Sequence, residues 1–152
     1  LSKTLCACGG YITGRAEMID WLRHTAPGFV YSVGLPPMLA ASAATALRVM
    51  AEEPWRVARL QAVAALFRDL CRARGLDTGG SAGLGIVPVI LGSSVRAARV
   101  SAALLDRGVN ALPIVFPAVP EKSARLRFFL SAEHEEAQVR AAVAALVEVV
   151  DA

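Results

Sequence analysis

The sequence predicts an α/β fold, and three patterns indicate it. Residues 86–91 form a continuous apolar run, which is typical of a buried strand. Residues 54–74 and 135–150 carry apolar side chains at helical spacing along one stripe. From residue 86 onward the order of elements is strand, helix, strand, strand, helix. This order predicts a small unit in which helices pack against one sheet.

The first part of the chain predicts a loop, a short strand and a helix. Residues 1–14 are rich in small side chains and predict a loop that leads into a strand at residues 11–13. Apolar positions at helical spacing predict a helix over residues 16–23, which the Pro27-Gly28 pair ends. Residues 29–32 are short, aromatic and β-prone.

Prolines and glycines punctuate the remaining elements. The Pro36-Pro37 pair begins an alanine-rich helix to about residue 50, because proline is tolerated in a first helical turn. Residues 77–85 predict a glycine-rich turn, and Gly108 closes a helix. The elements after the run at 86–91 are a helix at 96–106, strands at 112–116 and 125–130, and the helix at 135–150.

The amino-acid composition and net charge restrict the class to which the protein can belong. The 152 residues are 55% hydrophobic and 19% charged, enough for one compact domain with a core. The net charge is only +3, and the arginines are scattered without a basic face or an aromatic platform, so we expect no nucleic-acid partner. Charged residues interrupt every apolar run before the ~20 residues that a membrane helix needs. We therefore expect a soluble protein.

The three cysteines indicate a reducing compartment. Their number is odd, Cys6 and Cys8 are too close for an easy mutual bridge, and Cys71 is remote from both. This pattern favours a cytoplasmic location. A zinc site built from Cys6, Cys8 and His24 would have a spacing that fits no common site. Small residues in a packed turn are the better interpretation.

The glycine-rich stretch Gly79 to Gly85 could suggest a phosphate-binding loop. A dinucleotide fingerprint must follow a strand and open a helix. Here the glycines follow a predicted helix and open a predicted strand, so the sequence favours a plain loop.

Lys3 is the first candidate functional residue. Small residues flank it and Gly9-Gly10 follows, so we expect a tight setting from which the side chain does not easily reach solvent. A lysine in such a setting can act as the nucleophile that forms a Schiff base. A solvated surface lysine is the alternative.

Arg127 is the second candidate. Strand alternation places Arg125, Arg127 and Phe129 on one face and residues 126, 128 and 130 on the other. An arginine beside an aromatic ring is suited to bidentate binding of a carboxylate. An arginine on a solvated sheet face is equally compatible with the spacing.

Three ordered blocks of the sequence carry a resemblance to a known family, the α-oxoamine synthases, over nearly the whole chain. The first block resembles the cofactor-lysine segment, the second the aromatic-Ser/Thr-x-x-x-Pro-Pro segment, and the third the C-terminal substrate-binding block. The blocks are Ser2-Lys3-Thr-Leu-Cys-Ala-Cys-Gly-Gly10-Tyr-Ile-Thr-Gly14, Tyr31-Ser32-Val-Gly-Leu-Pro-Pro37, and Phe116-Pro-Ala-Val-Pro120 with Ala124-Arg-Leu-Arg127 and Ser131-Ala-Glu-His134.

The resemblance implies a fold, a cofactor and a reaction. It implies the C-terminal small domain of a fold-type I pyridoxal 5'-phosphate (PLP) transferase, preceded by the tail of the large domain. The implied boundaries are residues 1–34 for the end of the large cofactor-binding domain, 35–75 for connecting helices and 76–152 for the C-terminal α/β domain. Members join an amino acid to an acyl thioester, usually acyl-CoA, commonly with loss of carbon dioxide, and act as homodimers. Whether CoA or an acyl-carrier protein carries the donor stays open.

The resemblance also implies residue roles. Lys3 would hold PLP and move protons at the substrate α-carbon. Ser32 would reach the cofactor phosphate of the partner subunit, although Val33 stands where many relatives carry a second hydroxyl. Arg127 would hold the amino acid's carboxylate, while His134 would be structural.

The chain also invites an expectation about what precedes it. It opens at Leu1, and the family's other cofactor contacts precede the lysine, so we expect an upstream part and no catalysis by this chain alone. A fold-type I aminotransferase and a non-catalytic folding or dimerisation fragment remain alternatives.

Overall fold

The computed structural model describes residues 1–151 and divides the chain into two compact units. The first unit is Leu1–Pro54, and the second begins at Trp55. The boundaries at residues 34 and 75, which concern the domains of a whole enzyme, stay a prediction. No helix in the described part of the chain is long and apolar enough to cross a membrane.

The first unit is helical after an irregular segment. Its helices are α1 (Ala16–Thr25), α2 (Pro27–Val30) and α3 (Pro37–Glu52). The predicted helices at residues 16–23 and from Pro37 are confirmed. Pro37 occupies the first helical position, where its missing N–H leaves no hydrogen bond unmade.

The strand predicted at residues 11–13 is wrong, and the β-prone residues 29–32 form no strand. Residues 11–13 have no regular secondary structure, because no strand within residues 1–54 is available to pair with them. Residues Phe29 and Val30 belong to α2, not to a strand. Pro27 starts that helical turn, and the amides of Phe29 and Val30 both donate to the carbonyl of Ala26. Local hydrogen bonds therefore outweigh the β propensity of the aromatic residues.

The second unit contains the predicted α/β arrangement. Its predicted elements are confirmed, although the strand predicted at 112–116 ends two residues earlier. The elements are α4 (Trp55–Ala73), β1 (Ile86–Ile90), α5 (Ser94–Leu105), β2 (Leu112–Ile114), a 3-10 turn (Glu121–Ser123), β3 (Arg125–Phe129) and α6 (Glu136–Asp151).

The sheet has the order β1-β3-β2, with β3 antiparallel to both neighbours. Helix α5 connects β1 to β2 and leaves a gap between them that β3 fills. In register, Arg127 of β3 lies opposite Pro88 of β1 and Leu112 of β2. Arg127 is therefore in the middle of the sheet and not at an edge.

One hydrophobic core lies between helices α4, α5 and α6 and one face of the sheet. Strand alternation buries Leu126 and Phe128 and leaves Arg127 and Phe129 exposed, as predicted. The ring of Phe67 on α4 packs on that of Phe128, with centroids 4.6 Å apart. The other buried helix residues in this core are Val63, Ala64 and Cys71 on α4, Ala97, Val100 and Leu104 on α5, and Val139, Val143 and Leu146 on α6.

Candidate active site

Lys3 lies in a tight turn of the irregular N-terminal segment. The amide of Cys6 donates to the carbonyl of Lys3 at 3.0 Å, and the amide of Ala7 donates to that of Leu1 at 3.2 Å. The turn is as predicted, but the Lys3 side chain is exposed, so the expected shielding from solvent is wrong. The small neighbours that suggested a packed setting offer too little surface to cover a four-carbon side chain.

The same turn holds a strained residue. Cys6 has a φ of +49°, in the left-handed region that side chains other than glycine rarely adopt. Cys6 and Cys8 are exposed, while Ala7 between them is buried. The packed turn predicted from the small residues thus holds for Ala7 but not for the two thiols. Backbone strain of this kind gathers at functional sites, where the surrounding fold imposes it.

Ser32 follows α2 and is exposed. Its hydroxyl donates to the carbonyl of Gly28 at 2.8 Å, across one turn of the chain. To donate to a phosphate oxygen, the hydroxyl must rotate away from Gly28. Lys3 and Ser32 both belong to the first unit, while Arg127 belongs to the second.

Arg127 is exposed on the sheet face opposite the core. Its guanidinium lies over the ring of Phe129, with the guanidinium carbon 4.9 Å from the ring centroid. Within residues 1–151 no carboxylate is at salt-bridge distance from Arg127. This uncompensated cation is thus available to an anionic ligand.

Arg125 shares the face but has a different environment. It is partly buried, and its Nε donates to the carbonyl of Ser123 at 2.8 Å. The backbone therefore holds Arg125 in place, whereas Arg127 contacts only an aromatic ring among the described interactions.

A hydrogen-bond cluster that the sequence did not reveal joins three segments at one end of the sheet. The carboxylate of Glu121 accepts from the amide of Ser94 at 2.7 Å and from its hydroxyl, and that hydroxyl accepts from the amide of Phe116 at 3.2 Å. The two bonds from Ser94 hold the pKa of Glu121 below its ordinary value. The only local signal is the Ser93-Ser94 pair at a helix start, where Ser93 is the N-cap.

The glycine-rich loop follows α4 and leads into β1, the order of elements expected from the sequence. Arg72 donates to the carbonyls of Gly79 and Ser81, and Arg68 donates to that of Ala82 at 2.7 Å. The loop therefore presents carbonyl oxygens to cations that belong to the chain itself. A phosphate-binding loop instead presents amide N–H groups.

His134 is held by hydrogen bonds next to α6, and its structural role stays a prediction. Its Nδ1 accepts from the amide of Ser131 at 3.1 Å, and its carbonyl accepts from Arg59. It lies two residues before α6 and closes the turn that leads into that helix. No group of three or more metal-ligating side chains occurs in the described part of the chain, so Cys6, Cys8 and His24 do not form such a cluster there.

Comparison with known proteins gives one family and a consistent set of relatives. The family model described as aminotransferase class I and II matches residues 1–146. The 8-amino-7-oxononanoate synthase of Thermoanaerobacter pseudethanolicus is 36% identical over 149 residues, which are 98% of this chain and 38% of that protein. The enzyme of the same name from Methylobacterium sp. (strain 4-46) is 44% identical over 148 residues, 97% of this chain and 38% of the relative.

A solved structure of similar shape supports the same grouping. Serine palmitoyltransferase of Sphingomonas wittichii is 26% identical and superposes with a TM-score of 0.86, covering 97% of this chain and 37% of that one. The chain thus spans under two-fifths of the length of the relatives it matches.

Proposed function

Because the chain belongs to the aminotransferase class I and II family, and within it to the α-oxoamine synthases, we propose that it is the C-terminal part of a PLP-dependent acyltransferase. The whole protein would condense an amino acid with an acyl thioester, with loss of carbon dioxide and release of the free thiol, to give an α-amino ketone. The observation that carries the proposal is the exposed Arg127, a cation on an apolar sheet face with no carboxylate partner in the described chain.

The resemblance of residues 2–14 to the cofactor-lysine segment singles out Lys3 as the residue that would hold PLP. Its amine is exposed and has no hydrogen bond or ion pair within residues 1–151, so it is accessible to an aldehyde. Bound PLP would supply an electron sink for a carbanion at the substrate α-carbon. Lys3, close to that carbon, would then accept and return its proton.

Ser32 and Arg127 would bind the two anionic groups. The Ser32 hydroxyl would exchange its bond to Gly28 for one to the cofactor phosphate of the partner subunit in a homodimer. Arg127 would bind the amino acid's carboxylate with two parallel N–H···O bonds. Holding the carboxylate fixes which bond at the α-carbon lies perpendicular to the cofactor ring.

The chain by itself would be inactive. Family members supply further contacts to PLP from residues that precede the cofactor lysine, and a chain without them would bind the cofactor weakly. The acyl donor would be acyl-CoA or an acyl-carrier protein. Three free cysteines, two of them exposed, suit a reducing compartment, and we propose the cytoplasm.

The cofactor lysine can be tested on this chain because it has only two lysines, Lys3 and Lys122. Both are exposed, so Lys122 is an internal control for indiscriminate labelling. We expect PLP followed by borohydride reduction to place the phosphopyridoxyl adduct on Lys3 in preference to Lys122 in a peptide mass map. Equal labelling would show that this chain holds no organised site, and the same test on the full-length protein would then decide.

A fold-type I aminotransferase is the second candidate, because the matching family model is described as aminotransferase class I and II. The two reactions differ in their products. Amino-acid-dependent release of free thiol from an acyl-CoA by the full-length protein would support the synthase. Conversion of the amino acid to a keto acid without thiol release would support the aminotransferase.

A further inference from the structure

The sheet face around Arg127 carries mostly apolar side chains and two arginines. Side chains that pair across antiparallel strands share a face, and the register therefore identifies this one. No strand residue on it is acidic. Its members are Ile86, Pro88 and Ile90 of β1, Leu112 and Ile114 of β2, and Arg125, Arg127 and Phe129 of β3.

We infer that Phe129 is a positioning residue that fixes the guanidinium of Arg127 for carboxylate binding. The inference rests on the proposed role of Arg127 and adds a residue to which no function has been assigned. Phe129 acts through Arg127 and touches no reacting atom.

The geometry of the pair supports this role. Arg127 and Phe129 are two residues apart on one strand, so both side chains stand on the same face. The separation of 4.9 Å is within the ~6 Å over which a cation is attracted to an aromatic ring. The guanidinium carbon lies over the face of the ring, and the Arg127 N–H groups make no side-chain hydrogen bond within residues 1–151. The ring contact therefore leaves N–H groups available to bind a carboxylate.

The contact with the Phe129 ring orders the Arg127 side chain before a ligand binds, and this lowers the entropic cost of binding. A free arginine side chain occupies many rotamers and loses that freedom when it binds a ligand. Arg125 avoids this loss through its bond to the Ser123 carbonyl. Arg127 has no such bond among the described residues, and the ring of Phe129 takes its place.

The chain offers a matched control at the start of α4. Arg56 lies over the ring of Trp55, 4.6 Å from its centroid, and Trp55 is as exposed as Phe129, at 54% against 52%. Trp55→Leu therefore removes a similar ring–arginine contact that the proposed reaction does not use.

The test compares the steady-state kinetics of four variants of the full-length protein, namely Phe129→Leu, Phe129→Trp, Trp55→Leu and Arg127→Gln. We expect Phe129→Leu to raise the KM for the amino acid about two- to fivefold, the factor that an exposed cation–π contact corresponds to. The kcat and the KM for the acyl donor should stay unchanged, because the bound carboxylate still receives the same two N–H bonds from Arg127. Only the free energy of ordering the Arg127 side chain for binding is added, and it weakens ground-state and transition-state binding equally. Phe129→Trp should keep the parental KM, since it retains a ring, and Trp55→Leu should change none of the constants.

A magnetic-resonance measurement on the present chain tests the stack without catalysis. The Nε–H resonance of Arg127 should be shifted by the ring current of Phe129, and this shift should vanish in Phe129→Leu and persist in Trp55→Leu. An unshifted resonance in the parent chain would overturn the inference, as would an unchanged amino-acid KM in Phe129→Leu.

Arg127→Gln separates failure of the inference from failure of the proposed function. If Arg127→Gln leaves the amino-acid KM unchanged, the carboxylate role itself is wrong. If Arg127→Gln raises that KM strongly and Phe129→Leu does not, the proposed function stands and only the positioning role of Phe129 is refuted.

Discussion

Removal of residues 1–54 should leave a folded, cooperative domain, because the hydrophobic core lies entirely in the second unit. Every residue of the core cluster comes after Trp55. In the first unit the only buried hydrophobic residues are Ala7 and Ala43. The first unit instead exposes many large apolar side chains, with Tyr31 at 88% and Val33 at 95%.

The expected free energies of opening of the two units follow from this difference in burial. Phe67, Leu104, Leu126 and Leu146 are fully buried, and each contributes roughly 1.5–3 kcal/mol by removal of apolar surface from water. The two buried alanines of the first unit each contribute about the value of one methyl group, ~0.8 kcal/mol. We therefore expect free energies of opening of several kcal/mol in the second unit and about 0–1 kcal/mol in the first.

Two assays check the prediction. Hydrogen exchange of the intact chain should show amides in β1, β3 and α6 protected about a thousandfold or more, while those of residues 1–54 exchange within about tenfold of the unfolded rate. Deletion of residues 1–54 should shift the thermal midpoint of the second unit by less than about 8 °C, the shift that ~1 kcal/mol produces in a domain of this size. It should also reduce self-association, because it removes the exposed apolar surface of the first unit.

Two results would refute this reasoning. One is loss of the cooperative transition after the deletion, which would mean that the second unit depends on residues 1–54. The other is strong protection of α1 and α3 in the intact monomer, which would mean that the first unit is stable without a large buried core.

Three further predictions concern single residues. Cys6→Gly should stabilise the N-terminal turn by up to about 2 kcal/mol. The positive φ of Cys6 costs ~1–3 kcal/mol, and the extra chain entropy of glycine offsets ~0.5–1 kcal/mol of that gain. Thermal unfolding of the full-length protein measures the change, and the control variant Cys8→Gly should lower the stability. The lowered pKa of Glu121 means that its contribution to stability is present above the ordinary carboxyl pKa and is lost as pH falls through the lowered value. Glu121→Gln should thus flatten the acid side of a plot of unfolding midpoint against pH, and an unchanged slope would contradict the hydrogen bonds from Ser94. Burial raises the pKa of Cys71 to about 12, so its thiol should stay unreactive to a disulfide reagent at pH 8, while the exposed Cys6 and Cys8 react. The free energy of unfolding should also fall as pH rises from about 9 towards 12, because the thiol ionises first in the unfolded chain.

The sequence determined the helices and strands of the second unit because their signals are local and periodic. The apolar run that begins at Ile86 gave β1, and the alternation around Arg127 gave the exposed and buried faces of β3. The spacing of Val139, Val143 and Leu146 gave the buried stripe of α6. The same local patterns, in fixed order, also carried the resemblance to the α-oxoamine synthases.

The candidate site was only partly predictable. Arg127 could be placed on an exposed face from alternation alone, and the ring beside it was visible as Phe129. The exposure of Lys3 was not predictable, because it depends on which residues cover the side chain and not on its immediate neighbours. The strand proposed at residues 11–13 is wrong and the β-prone residues 29–32 form none, because β propensity does not produce a strand without a partner strand.

Only the tertiary structure decided which strand lies in the centre of the sheet and which distant groups meet. β3 is last in the sequence but lies between β1 and β2, and that position surrounds Arg127 with apolar residues from both neighbours. Glu121 meets Ser94 across 27 residues of chain, and no local pattern specifies that contact. A helix or strand face depends on the spacing of nearby residues, whereas strand pairing and such contacts depend on how the chain closes its loops around a common core.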